Sequence, residues 1–314
     1  MTQLLSTPVA SSTGGAGRPG APRRGPRRSQ VTGILFLAPV ALFLVIFLLV
    51  PIARSIMLST EDWNFASFIR GDAPFVGLDN YIAIFQNPLF YQIALQTVIF
   101  VGVSLIAQYS LGFALAVFFS RRFPLSTTLR SLILLPWLLP LIVSATTWRW
   151  MFNQDTGIVN AALGGAGIGW LSDPAFSLWA VIITNIWLGI PFNMVLLYGG
   201  IQAIPEDLYE AASLDGASAW RQFWSITVPL LRPVTAVTLL LGLVYTIKVF
   251  DVIWVMTRGG PVNSSHILST WSYQLSFEGE HQLGLGSAVG QILVVVALIF
   301  GLLYIRAQRK EALQ

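Results

Sequence analysis

The chain has no cysteine, only two histidines, only two lysines, and charged side chains at just 10% of its 314 positions. Each shortage excludes a class of function. Without cysteine there are no disulfides and no thiolate metal or redox centres. His266 and His281 are too few for a histidine-cluster metal site. Neither Lys248 nor Lys310 follows glycine or precedes Ser or Thr, so the G-x-x-x-x-G-K-[ST] loop that cradles phosphates is missing. No G-x-S-x-G occurs, and the scattered acids form no recognisable catalytic pair. The reading is a chain that is not an enzyme and carries no cofactor of its own. Soluble domains have about 25% charged residues. With 55% hydrophobic residues and a mean hydropathy of +0.70, this chain falls in the membrane class.

A helix needs about 20 mostly apolar residues to cross the hydrocarbon core. Six stretches qualify: approximately 31–55, 92–119, 129–151, 177–203, 233–257 and 283–306. The expected fold class is an all-α polytopic membrane protein, with six transmembrane helices in one membrane domain over 31–306. Pro39, Pro51, Pro136, Pro140 and Pro191 fall within or at the ends of spans, where neighbouring helices can satisfy the freed backbone groups. Residues 1–30 differ. They are rich in Ser, Gly, Pro and Ala, carry Arg18, Arg23, Arg24, Arg27 and Arg28, and lack the apolar surface that would offset ordering entropy. They read as a disordered tail, and 307–314 as a second, short one. Arginines before an apolar run also mark secretory signals, but Gly33–Val50 is long for a signal core and no A-x-A site follows it. An uncleaved first span is expected.

Lysine and arginine set the orientation. The N-terminal tail, Arg121, Arg122 and Arg130 between spans two and three, Arg221 and Arg232 between spans four and five, and Arg306, Arg309 and Lys310 put thirteen of eighteen positive charges on one side. Arg54, Arg70, Arg149 and Arg258 lie on the other, and Lys248 is inside span five. Both termini are therefore expected in the cytoplasm, with the chain in the cytoplasmic membrane. The net charge of +4 marks topology and contact with lipid, not nucleic-acid binding. Trp148, Trp150 and Trp170 suit an outer interface belt.

One cytoplasmic segment interrupts the apolar pattern: "IPEDLYEAASLDGASAWRQFWSITVPLLRP", residues 204–233. Pro205 fits a helix first turn, and Glu206 and Asp207 complement a helix N-terminus. Asp215-Gly216 signals a turn, Ser218 a cap for a second helix, and Pro229 and Pro233 its end. The spacing predicts a helix–turn–helix at the membrane surface. Helical connectors made of ordinary helix formers are common, but this pattern is more specific. Glu210-Ala211-Ala212, three residues, Gly216, nine residues, Ile226, two residues and Pro229 resemble the EAA signature of ABC importer permeases. Val228 departs from the leucine usual before that proline.

The resemblance covers nearly all of the chain after the tail. "FVGLDNYIAIF" at 75–85, "LLPWLLPLIVSATTWRWMFNQDTGIVN" at 134–160, "VFDVIWVMTRGGP" at 249–261 and "GLGSA" at 284–288 are similar to segments of the carbohydrate-uptake group of these permeases, the maltose and glycerol-phosphate type. It implies that the EAA segment is a coupling helix docked in a cleft of a separate ATPase subunit. Glu210, Ala211, Ala212, Leu214, Asp215 and Gly216 would form that joint. It also implies an ATPase dimer holding the ATP and Mg, a second homologous permease, an extracellular substrate-binding protein and a carbohydrate substrate.

Ionisable groups inside the bilayer are costly and commonly functional. Lys248 and Asp251, three apart in span five, are expected to share a helix face, either as a structural pair or in the pathway; Lys248 alternatively snorkels. Asn185, Trp187 and Asn193 in span four offer a sugar amides and an apolar face, or serve as glue between helices. Gln108 and Tyr109 in span two are weaker candidates. Two other classes remain to be weighed. An ion-coupled secondary transporter calls for internal repeats and acidic relays, and Asp251 is its lone candidate acid. A membrane anchor for a cytoplasmic partner calls for no polar pathway.

Overall fold

The computed structural model describes residues 36–121, 123–279 and 281–311. The tail assigned to 1–30, the start of the first span and Arg122 lie outside them. Among the described residues the chain is helical, and its one strand-like pairing is an isolated bridge between Glu61 and Phe75.

The chain divides into two compact units at Ala53 and Arg54. The described part of the first is Phe36–Ala53, which belongs to helix α1 (Phe36–Ser59). Every side chain from Phe36 to Ala53 is exposed. A run of Phe, Leu, Ile and Val left open in this way suits a lipid solvent and not water.

The second unit is built around α4 (Pro88–Ser120) and α9 (Ser177–Gln202). Asn87 caps α4, accepting from the Leu89 amide at 3.0 Å, and Pro88 opens its first turn. Along α4 the buried positions Ile93, Thr97, Phe100, Ser104, Gln108, Gly112 and Ala116 recur every three or four residues, the stripe of a helix that packs on one side. The stripe turns from large to small toward the C-terminus, so the two backbones approach closely. A Cβ at Gly112 would lie 2.5 Å from the Asn193 Cβ, and one at Gly189 would lie 2.2 Å from the Gln108 Cδ. Small residues at such crossings are the usual solution where apolar lipid gives helices no hydrophobic reason to associate.

Two of the six expected spans are not continuous helices. The stretch 129–151 is divided into α5 (Ser126–Ile133), α6 (Leu135–Leu138) and α7 (Leu141–Met151). Pro140 has no amide hydrogen to donate and disfavours the helical conformation at Leu139, which is extended at ψ 143°. The stretch 233–257 is divided into α12 (Arg232–Ile247) and α13 (Asp251–Met256). Among the described residues four helices are long and apolar enough to cross a membrane: α1, α4, α9 and the Leu283–Leu302 part of α15 (Leu283–Glu311). A fifth candidate is the pair α11 (Ala219–Leu230) and α12, which bend by 61° at Leu231. The segment expected to be a C-terminal tail from 307 continues α15 to Glu311.

Shorter helices brace these. α2 (Phe65–Arg70) and α3 (Asp79–Gln86) follow α1, and Asn80 of α3 donates to the carbonyls of Ser59 and Glu61 at 3.0 Å each, satisfying the end of that helix. α8 (Ile158–Ala162) lies in the Gly-rich loop. Asn160 organises that loop, donating to the carbonyls of Gln154 and Ile168 and accepting from the Trp170 indole at 3.0 Å. Trp148 and Trp170 are half-buried in an aromatic cluster with Phe152. Of the three tryptophans expected in an interface belt, only Trp150 is open, at 76% exposure. α10 (Glu206–Leu214) precedes α11, and α14 (Leu268–Phe277) packs along α15.

Candidate functional site

The break between α12 and α13 opens a cavity of about 380 Å³, within the roughly 300–1,000 Å³ of small-molecule sites. The break itself supplies part of the wall: Lys248 at the end of α12, then Val249, Phe250 and Asp251. α4 contributes Gln108, α9 contributes Asn185 and Phe192, and α6 contributes Trp137. Aromatic faces dominate. Trp137 and Phe192 meet edge to face at 6.1 Å, and Phe192 and Tyr245 at 5.6 Å. Phe250 is stacked on Trp254 at 5.3 Å.

Among these rings sit a few polar groups. Gln108 Nε2 donates to the Asn185 backbone carbonyl at 2.8 Å, a bond between α4 and α9 that fixes the Gln108 side chain at the cavity wall. Asn185 Nδ2 is buried and has no hydrogen-bond partner. A buried amide donor left unpaired costs about 1–3 kcal/mol, and the residue that bears it lines the cavity.

Lys248 and Asp251 both reach this wall, but not as a pair. Helix geometry stops between them, at Lys248 (φ −98°, ψ 7°) and Phe250 (φ −130°, ψ −55°). Among the described residues no ion pair joins them. Lys248 Nζ lies 5.1 Å from the Tyr245 ring centroid, a cation–π distance. Each charge complements its own helix end, a cation at the C-terminus of α12 and an anion at the N-terminus of α13. The expected shared helix face is corrected accordingly.

The other candidates separate. Trp187 turns to Trp148, edge to face at 5.8 Å, and does not line the cavity. Asn193 is fully buried, donates to the Gly189 carbonyl of its own helix at 2.9 Å, packs against Gly112 of α4 and does not line the cavity. The Tyr109 and Thr235 hydroxyls meet at 3.1 Å, and Tyr109 does not line the cavity. Trp137, Phe192, Tyr245 and Phe250 were not singled out by sequence reasoning. The helix break that gathers them is visible in sequence only as the residues Lys248 to Asp251.

The second feature is the exposed hairpin made by α10 and α11. Pro205 immediately precedes α10 and does not enter its first turn; its ψ of 133° is extended. α10 ends in a Schellman turn. The Gly216 amide donates to the Ser213 carbonyl at 3.0 Å and the Ala217 amide to the Ala212 carbonyl at 2.9 Å, with Gly216 at φ +75°. Ser218 then accepts from the Arg221 amide at 3.3 Å and starts α11. Tyr209 and Thr227 hydroxyls meet at 2.9 Å, and Gln222 Nε2 donates to Ser213 Oγ at 2.8 Å. These bonds make the hairpin a braced unit. At its tip Leu214 is 90% exposed, and Glu210, Ala211, Asp215 and Gly216 are open, with Ala212 half-buried. An apolar side chain at the apex of a rigid acidic hairpin is the profile of a protein contact.

Membrane-length helices, a polar and aromatic cavity at a broken helix, and a rigid exposed hairpin define a transport permease as the class of protein. Residues 108–310 match the family described as "binding-protein-dependent transport system inner membrane component", and the chain belongs to this family of ABC importer permeases. In these transporters the ATPase is a separate subunit. The chain is 35% identical over 285 residues to the trehalose/maltose transport system permease protein MalF of Thermococcus litoralis, covering 90% of this chain and 95% of that one. It is 32% identical to the sulfoquinovosyl glycerol transport system permease protein SmoG of Agrobacterium fabrum, covering 90% and 92%. Among solved structures it is similar to a bacterial ABC transporter involved in import of the acidic polysaccharide alginate. That likeness has a TM-score of 0.76 and 25% identity, over 90% of this chain and 96% of that one.

Proposed function

We propose that this chain is the permease subunit of an ATP-driven importer that carries a sugar or sugar-like solute through the cavity at the α12–α13 break. The observation that carries the substrate class is the wall: four aromatic faces around a buried, unpartnered amide donor at Asn185. Aromatic rings stack on the apolar faces of pyranose rings, and amides bond their hydroxyls. The trehalose/maltose and sulfoquinovosyl glycerol relatives are named for solutes of this kind. One cation and one anion at the wall, Lys248 and Asp251, favour a neutral solute over a phosphorylated one.

In this reading six membrane crossings are made, four by continuous helices, the third by α5–α7 and the fifth by α12–α13. Both termini and the hairpin face the cytoplasm. The hairpin tip, Glu210 to Gly216, docks on an ATPase subunit of a dimer that binds ATP and Mg. A second homologous permease closes the pathway, and an external binding protein delivers the solute to the outer loops. ATP-driven closure of the ATPase dimer moves the hairpin, and because α11 runs into α12, the motion reaches the cavity wall. The test is uptake of labelled disaccharides into proteoliposomes holding the assembled transporter. Uptake that needs ATP and falls in Asn185→Ala is expected. Uptake driven by an ion gradient without ATP would overturn the reading in favour of a secondary transporter.

A further inference from the structure

The hairpin is divided electrostatically into two unlike arms. α10 and its turn carry Glu206, Asp207, Glu210 and Asp215 and no base. From Gly216 to Arg232 there is no acid, and Arg221 and Arg232 are both exposed. On the same arm Trp220 and Trp224, four residues apart, are 71% and 53% exposed. Their rings meet edge to face at 5.7 Å, and Phe223 packs on both, at 6.0 Å and 5.2 Å.

Three observations say what covers this open aromatic face. α11 is bent 61° from α12, so where α12 crosses the bilayer α11 runs nearer its plane. The aromatic cluster is continuous with a candidate span, since Phe223 lies 5.8 Å from Phe113 of α4, which stacks on Tyr109 at 5.9 Å. Two polar side chains of α11, Gln222 and Thr227, are already engaged by α10 and the turn that follows it, leaving the indoles, Arg221 and the small hydroxyl of Ser225 outward. Indoles favour the layer between headgroups and acyl chains, and arginines beside them attract anionic lipid.

We propose that α11 is an interfacial anchor: Trp220 and Trp224 rest in the headgroup layer of the cytoplasmic leaflet, and Arg221 and Arg232 meet anionic headgroups. The acidic arm then faces protein while the basic aromatic arm rests on lipid, and the braced hairpin holds the first at a height set by the second. The inference rests on the cytoplasmic placement of the hairpin given above. It makes anionic lipid a determinant of how well ATP hydrolysis is coupled to transport.

The absence of cysteine allows a direct test. Trp220→Cys, Trp224→Cys and Leu214→Cys are each labelled with a fluorophore in the complete transporter, held in nanodiscs of phosphatidylcholine with or without phosphatidylglycerol. Quenching is read with a lipid that carries a nitroxide near the headgroup end of its acyl chain, and with aqueous iodide. The labels at 220 and 224 are expected to be quenched roughly two-fold or more by the nitroxide lipid and little by iodide, with no lipid quenching at 214. Free quenching by iodide at 220 and 224 overturns the proposal. So does protection from both quenchers, which would place a protein subunit on this face. A tryptophan variant that fails to assemble is replaced by Ser225→Cys, an exposed position on the same helix, with the same expected and contrary results. Phosphatidylglycerol is expected to raise uptake per ATP in the native chain, and Arg221→Gln to lower that gain. No gain in the native chain contradicts the charge part of the proposal. Lipid quenching that persists in a Glu210→Ala transporter that has lost coupling separates this inference from the docking of the tip.

Discussion

At the residue scale, two glycines have roles that differ in kind. Gly216 has open space around its missing side chain, so its requirement is the backbone angle alone, φ +75°. Gly216→Ala is expected to cost about 1–2 kcal/mol in the left-handed region, and Gly216→Asn less, because asparagine tolerates that region. Thermal unfolding and ATPase coupling of the two variants check the order. Gly259 has a positive φ of +80° and also lies against the His266 ring, where a Cβ would come within 2.2 Å of Nδ1. His266, in the loop between α13 and α14, is bonded to Thr270 at 3.0 Å, and burial pushes its pKa down to about 4. The folded state therefore holds it neutral, while the unfolded chain protonates it below its ordinary value near 6.5. Stability is full above that value, falls as pH drops toward about 4 and is level below; the whole change is about 3 kcal/mol. Unfolding curves across this range check the slope, which His266→Gln is expected to flatten.

At the element scale, what the sequence made legible follows the reach of each signal. The hairpin was readable because turn chemistry is local: Asp215-Gly216 and Ser218 act on neighbours within a few residues. α4 and α9 were readable as long apolar runs. The breaks in the third and fifth stretches were not, because each run is long and apolar enough to span as one helix, and neither Pro140 nor the charges Lys248 and Asp251 alone dictate that the backbone leaves the helix. For the same reason Lys248 and Asp251 looked like helix neighbours. The candidate site was half legible. Asn185 and Lys248 could be chosen by polarity, but Trp137, Phe192, Tyr245 and Phe250 resemble any other lipid-facing aromatics until the break gathers them. The two asparagines of α9 make the distinction measurable. Asn185→Ala is expected to raise the substrate concentration needed for half-maximal uptake several-fold and leave folding nearly unchanged, because its Nδ2 has no partner to lose. Asn193→Ala loses the bond to the Gly189 carbonyl and a packed contact with Gly112. It is expected to lower stability by about 1–2 kcal/mol with substrate affinity unchanged.

At the scale of the whole molecule, the hairpin is continuous with the wall of the cavity. α10 is braced to α11, α11 runs through a 61° bend into α12, and α12 ends at Lys248 in the cavity. A displacement of the tip thus has a rigid route to the cavity wall. The apolar surface of α1 and the open faces of α4 and α15 are consistent with a chain that is solvated by lipid and by other subunits. Single cysteines at Asn64 and Leu214 are expected to label from opposite sides of the membrane in sealed vesicles, with Leu214 shielded when the ATPase is bound. The central claim is that the hairpin tip transmits ATP hydrolysis to transport, and its most direct measurement is the number of solute molecules imported per ATP hydrolysed in proteoliposomes. With Glu210→Ala and Gly216→Ala the account predicts that this ratio falls about ten-fold or more, as expected where a docking contact at Glu210 or the turn set by Gly216 is worth about 1.4 kcal/mol or more, while the permease remains folded. An unchanged ratio in both variants would contradict it.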